Sequence, residues 1–397
     1  MTGNEEHFPD VATLLSAEHP KQPVYCIFPH VFRAAAKQFL EGFPGRVLYA
    51  VKANADPTVL KLLIESGINH FDCASLPEIE IVHTISPDSK KYFMNPARIR
   101  SAARTAQEMY GVQHFVVDHL SGLQQLLTEI DTSRSVIFAR MAVHHESAFE
   151  DLSLRFGAPP EKTPELLQAI HDSGAEPALA FNVGSSVTDP EAYRYAISVT
   201  KSVLDQLPNR LRLIDVGGGY PRSYPDFIMP EVDEYFRAIG ESVKTLPLME
   251  NAEILGEPGR ALAAPGMSAV VEVLLRKDDR LYINDGMYGV FWLLRIDGPD
   301  RFPVRAYRDG KQLQGDMLNF QVNGPTCDST DTLPGLVPLP ADVRAGDYLE
   351  FGNIGAYSIS GRTDYNGFYS DRIVTITSPD ESPPLVNDSP NIRTNLQ

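Results

Sequence analysis

Residues 47–53 read VLYAVKA, and residues 58–67 read TVLKLLIESG. The first is a short β-branched run. The second repeats apolar residues at helical spacing, so the pair reads as strand then helix. The same alternation continues downstream. HFDCA (70–74) precedes PEIEIVHTI, KYFMN (91–95) precedes RIRSAARTAQEMYG, and HFVVD (114–118) precedes LSGLQQLLTEI. SVIFARM (135–141) is followed, after a longer excursion, by TPELLQAIHDSG. ALAFNVG (178–184) leads to EAYRYAISVTKSVLDQL, RLIDVGG (212–218) leads to VDEYFRAIGESVKTL, and EILGEP (253–258) closes the series. Eight strand-like runs in βα alternation predict an α/β fold with a (β/α)8 barrel over 23–262. A doubly wound open sheet is the alternative topology.

After Pro265 the texture changes. SAVVEVLLRK, RLYIND, FPVRAYRD, LNFQVNG, DYLEFGN and RIVTITSP are short strand-like runs broken by Gly, Pro and Asp. They predict an all-β domain over 263–378. PVYCIF (23–28) suits either domain, residues 1–22 form an N-terminal segment, and the Pro-, Asn- and Ser-rich stretch 379–397 reads as a disordered tail.

At 397 residues, two domains are the natural expectation. An apolar fraction of 43% and a mean hydropathy of -0.18 describe a soluble globular chain, and no stretch is apolar enough to span a bilayer. The acidic N-terminus MTGNEEHFPD is unlike a secretory signal, and Cys26, Cys73 and Cys327 show no metal-ligand spacing. Reduced thiols in a cytoplasm, with no metal, are the simplest expectation. A net charge of -17 argues against nucleic acid as a partner and suits a cationic small molecule.

In such barrels the chemistry gathers at the C-terminal ends of the strands. Lys52 ends the first run, Asp72 and Ser75 follow the second, Asn95 ends the third and Arg140 lies near the end of the fifth. Asn182, Gly184 and Ser185 end the sixth, Gly217, Gly218 and Gly219 the seventh, and Glu257, Gly259 and Arg260 the eighth. Taken singly, each has an ordinary explanation as a surface lysine or a turn glycine. Together they suggest a site. A glycine triplet lets backbone N–H groups approach a phosphate, with Arg260 adding charge. A carboxylate such as Glu257 can keep a pyridine nitrogen protonated, and a rim lysine can condense with an aldehyde. The combination points to pyridoxal 5'-phosphate (PLP).

These motifs resemble the fold-type III PLP-dependent decarboxylases, the ornithine, lysine, diaminopimelate and arginine decarboxylase group. YAVKAN (49–54), FDCAS (71–75), NP (95–96), VGS (183–185), GGG (217–219) and EPGR (257–260) follow the family's order. NDGMYG (284–289), GPTCDSTD (324–331), GAYS (355–358) and YNGF (365–368) extend the likeness to about residue 377. The resemblance implies a barrel plus β-domain architecture and a homodimer with active sites shared across the interface. It implies that Lys52 holds PLP, that Glu257 pairs with the pyridine nitrogen, and that Ser185, Gly218, Gly219, Gly259, Arg260 and Tyr357 hold the phosphate. Asp72 and Arg140 would support Lys52 and the cofactor. Cys327 would deliver a proton from the second subunit after carbon dioxide leaves.

Asp328 in GPTCDS resembles the ornithine and lysine enzymes, and Asp297 matches a second amine-binding aspartate there. With Tyr288 they would form the substrate pocket, because a buried ammonium needs paired carboxylates. One position departs: the family's ring-stacking histidine is Asn182 here, which leaves a specialised substrate open. An amino-acid racemase of the same fold is the rival enzyme, although Glu257 at the nitrogen argues for decarboxylation. An inactive regulatory homologue is the non-enzymatic alternative.

Overall fold

The computed structural model describes residues 6–295 and 301–386. They divide into two compact units, one of residues 36–221 and 230–261, the other of the described residues in 6–35, 222–229 and 262–386.

Among the described residues the first unit is a barrel of eight parallel strands. They are β1 (46–50, interrupted at Leu48), β2 (His70–Cys73), β3 (Lys90–Phe93), β4 (His114–Val117), β5 (Val136–Ala142), β6 (Glu176–Asn182), β7 (Leu213–Asp215) and β8 (Glu253–Gly256). β1 closes the ring. Its first half pairs with β8 (Leu255 with Arg46) and its second half with β2 (Ala50 with Asp72). Leu48 N–H on Gly256 O and Ala50 N–H on Pro258 O, 2.8 and 3.0 Å, carry the closure past the break. The predicted (β/α)8 barrel is therefore the fold, and all eight sequence-read strands are in it.

The lumen is packed, as period-two alternation requires. Leu48, Tyr92, Met94, Val116, Phe138, Ala178, Ala180, Leu213 and Leu255 form one buried cluster. Each inward series then continues one step toward the C-terminal rim. Phe138 is followed by Arg140, Ala180 by Asn182, Leu213 by Asp215 and Leu255 by Glu257. Asp72 is in register with Ala50 and Tyr92. Lys52 follows in a short 3₁₀ turn, Val51–Ala53, where β1 ends.

The second unit is a mostly antiparallel sheet. Its long central strand Met267–Lys277 pairs with Val24–Ile27, Tyr348–Phe351 and Arg280–Ile283. Residues 23–35, grouped by sequence with the barrel, belong here because Val24–Ile27 takes this sheet's hydrogen bonds. The N-terminal segment carries a helix, Val11–Glu18, capped by Asp10, whose Val11, Leu14 and Leu15 join the core with Cys26, Phe28, Val270 and Ile376. Most of the tail, 387–397, lies outside the described residues.

Candidate active site

Asp72, Arg140, Asn182 and Glu257 meet at the rim of the barrel because alternation puts them there, and Lys52 joins them from the turn after β1. Lys52 Nζ donates to Asp72 Oδ2 at 3.0 Å. Asp72 is 1% exposed, and its Oδ1 has no hydrogen-bond partner. Glu257 is half-buried. Burial pushes its carboxyl well above the usual range, Asp215 and Asp72 add to the rise, and Lys52 and Arg140 oppose it. Arg140 also stacks its guanidinium over Phe156, 5.5 Å from the ring centre.

The glycine loop after β7 is built by what holds its carbonyls. Gly217 O accepts from Glu257 N–H at 2.8 Å, Gly218 O from the Tyr193 hydroxyl at 2.7 Å, and Gly219 O from Val187 N–H at 3.0 Å. Gly217 N–H donates to Asp215 Oδ1. The N–H groups of Gly218 and Gly219 find no acceptor among the described residues. Space demands glycine as well: a Cβ at 218 would sit 2.7 Å from Glu257 O, and one at 219 would sit 2.7 Å from Gly184 O. Arg260 Nη2 reaches Ser185 Oγ at 3.4 Å beside this loop, while Gly259 forms the turn between Glu257 and Arg260. Asn182 Oδ1 accepts from Gly184 N–H at 2.9 Å, so its amide braces the loop leading to Ser185.

Two acids were missed by sequence reading. Asp215, fully buried, has a carboxyl raised by burial, eased by the Gly217 N–H and raised again by Asp72. Its signal was its place two residues after an inward leucine. Glu78 is raised to about 7, mainly by burial, and accepts from Ala74 N–H at 2.7 Å. Ser75 caps its helix and Asn95 donates to Ala74 O, so both serve the scaffold.

Tyr288, Cys327, Asp328 and Tyr357 lie in the other unit. The Tyr288 hydroxyl donates to Asp328 Oδ2, and its ring stacks on Tyr365, centroids 4.4 Å apart. Cys327 is exposed, with Sγ 3.5 Å from Asn366 Oδ1. Buried Asp331 ties these loops, accepting from Met287 and Thr326 N–H. Tyr357 is held at a positive φ of 58° in the loop after Tyr348–Phe351. Asp297 lies outside the described residues.

A closed parallel barrel with a lysine, buried carboxyls and a glycine cradle at one rim defines a barrel enzyme that works with an anionic cofactor. Residues 30–264 match the family described as "Pyridoxal-dependent decarboxylase, pyridoxal binding domain". The chain is 31% identical over 358 residues to the decarboxylase flvG of Aspergillus flavus, covering 84% of this chain and 80% of that one. It is 30% identical over 362 residues to antizyme inhibitor 2 of Xenopus laevis, covering 83% and 76%. The lysine/ornithine decarboxylase of Vibrio vulnificus, solved with putrescine, superposes with a TM-score of 0.79 at 27% identity, covering 92% and 97%.

The chain belongs to the PLP-dependent decarboxylases of the ornithine decarboxylase type. It is an amino-acid decarboxylase, and PLP is its cofactor. The site fits that group. Unsatisfied glycine N–H groups and the buried Arg260 suit a phosphate, and a rim carboxyl at Glu257 suits a ring nitrogen.

Proposed function

We propose that the chain decarboxylates a diamino acid such as L-ornithine or L-lysine, releasing carbon dioxide and a diamine. PLP, held by Lys52, supplies an electron sink for the pair left when carbon dioxide departs. Asp72 holds the Lys52 ammonium in place at 3.0 Å and keeps a compensating charge beside it. Glu257, half-buried at the rim, would face the ring nitrogen and keep it protonated. The Gly218 and Gly219 N–H groups, Ser185, Gly259 and Arg260 would bind the phosphate. Arg140 and Asn182 would hold the cofactor at the same rim.

The observation that carries the substrate reading is the cluster of Asp328, Tyr288 and Cys327 on adjoining loops. It offers a carboxylate for a distal ammonium beside a thiol able to hand over a proton, and Asp297 would add a second carboxylate. The putrescine bound by the Vibrio vulnificus enzyme supports a diamine product. Cys327 and Tyr365 are exposed, as are Phe368 and Tyr369. That supports a homodimer in which a second copy completes the site. No described helix is long and apolar enough to cross a membrane, and the three cysteines are unpaired. Both support a cytoplasmic enzyme, and a diamine product would place it in polyamine synthesis.

The test is to incubate PLP-loaded protein with L- and D-forms of ornithine, lysine, arginine and diaminopimelate, measuring carbon dioxide and amine. Turnover of L-ornithine or L-lysine is expected. Racemisation without carbon dioxide, or turnover of diaminopimelate alone, contradicts the proposal. Turnover only of another amino acid would favour a specialised pathway, the reading to which Asn182 points.

A further inference from the structure

Three acids crowd the barrel rim, Asp72 and Asp215 buried and Glu257 half-buried, and Asp215 has no role in the function proposed. Asp215 is 0% exposed, on the strand next to that leading into Glu257. The chain fixes how it sits. Its Oδ1 accepts from Gly217 N–H at 2.8 Å, while Gly217 O accepts from Glu257 N–H at the same distance. The two carboxyls therefore face each other, within hydrogen-bonding reach. Asp215 Oδ2 is buried and has no donor.

The charges around the pair do not balance as they stand. Asp72, Asp215 and Glu257 face two cations, Lys52 and Arg140. Further titratable neighbours are the phenols of Tyr92, Tyr193 and Tyr220, all held above their usual range and uncharged near neutrality, and Glu78 beside Asp72 and Lys52, raised by burial to about 7. Two adjacent carboxylates, one of them wholly buried, cannot both be ionised at tolerable cost. One proton on the pair settles the charge, and Asp215, wholly buried with Oδ2 lacking a donor, is the carboxyl for which ionisation costs more than for half-buried Glu257.

We infer that Asp215 is a positioning residue that holds this proton as a carboxylic acid and donates it in a hydrogen bond to Glu257, keeping Glu257 ionised toward the cofactor's ring nitrogen. This rests on the reading that Glu257 faces that nitrogen. The consequence is a dependence on the state of Asp215. While Asp215 is protonated, Glu257 is the weaker base and the proton between Glu257 and the ring stays on the ring. When Asp215 ionises, its charge raises the basicity of Glu257, which then takes that proton. Burial raises both carboxyls, Asp72 adds to each rise, and the charge of Asp215 raises Glu257 further.

Asp215→Asn makes the arrangement permanent. The amide oxygen still accepts from Gly217 N–H, and the NH₂ donates to Glu257 without a proton to lose. The experiment is ¹⁵N NMR of protein loaded with PLP labelled at the ring nitrogen, titrated with base. Wild type should lose the ring proton as Asp215 ionises, and Asp215→Asn should keep it to a pH higher by about one unit or more. Identical titration of the two overturns the inference. Glu257→Gln separates the two levels. If it leaves the nitrogen's protonation unchanged, the placement of Glu257 is wrong. If it abolishes protonation while Asp215→Asn titrates like wild type, Glu257 stands and Asp215 does not. Should Asp215→Asn not fold, infrared spectra of wild-type protein near neutral pH decide. A protonated-carboxyl band that shifts with ¹³C-aspartate labelling and is absent from Asp215→Glu supports the inference. A band that shifts only with ¹³C-glutamate overturns it.

Discussion

Gly217→Ala should disable the cofactor cradle while sparing the barrel. Gly217 sits at φ +71°, where a side chain costs about 1–2 kcal/mol. Its new Cβ would lie 2.3 Å from Phe181 O and 3.1 Å from Asn182 Cα, both backbone atoms at the end of β6. The oxygen must retreat by about 0.7 Å, adding roughly 1–3 kcal/mol of overpacking. The cheapest relief is to swing the loop outward, which breaks Glu257 N–H on Gly217 O and displaces the free N–H groups of Gly218 and Gly219. If about 3 kcal/mol falls on the bound geometry, the dissociation constant for PLP rises by more than about 100-fold. Titrating apoprotein with PLP by absorbance measures it directly, and circular dichroism checks the fold. A folded variant that binds PLP within about threefold of wild type would refute the reasoning.

Glu350, buried in the β unit, accepts from Ser268 Oγ and the Tyr307 hydroxyl and is raised by burial to about 7. A carboxyl raised on folding contributes stability at low pH that is lost as pH climbs from its unfolded value, about 4.3, through 7. Glu350→Gln should therefore gain stability relative to wild type across that window, by up to about 3 kcal/mol at its alkaline end; a constant difference in denaturant midpoint from pH 4 to 8 speaks against it. Cys327→Ala should keep PLP binding but slow turnover or divert product to aldehyde, with an unchanged rate and product ratio counting against the proton-donor role. Mixed Cys327→Ala and Lys52→Ala chains should recover about a quarter of wild-type activity if sites are shared, and none in demonstrated heterodimers if they are not. Asn182→His should bind PLP as tightly or up to about tenfold more tightly through ring stacking. A tenfold loss would show that the Asn182 amide bracing Gly184 is what the site needs.

The barrel was legible because its strands are buried on both faces and its helices on one, so period and composition changed together at each junction. The rim residues were legible for the same reason: each lies just beyond a β-branched or aromatic run. Asp215 was overlooked beside the more conspicuous glycines, although Leu213 already fixes its inward face. Val337–Pro340 was overlooked because prolines read as breakers, yet it pairs on one side only, with Met317–Asn323 at the end of its sheet, where proline is tolerated. The helix Val11–Glu18 hid in a segment whose polar start masked three core residues. Contacts such as the Tyr193 hydroxyl on Gly218 O join residues 25 apart and have no local signature.

The central claim is that Lys52 carries the cofactor of an amino-acid decarboxylase. Borohydride reduction of PLP-loaded protein, followed by proteolysis and mass spectrometry, locates the attachment. The phosphopyridoxyl group should be found on the peptide containing Lys52, and Lys52→Ala should be unlabelled and release no carbon dioxide. A label on another lysine, or full turnover by Lys52→Ala, would contradict the account.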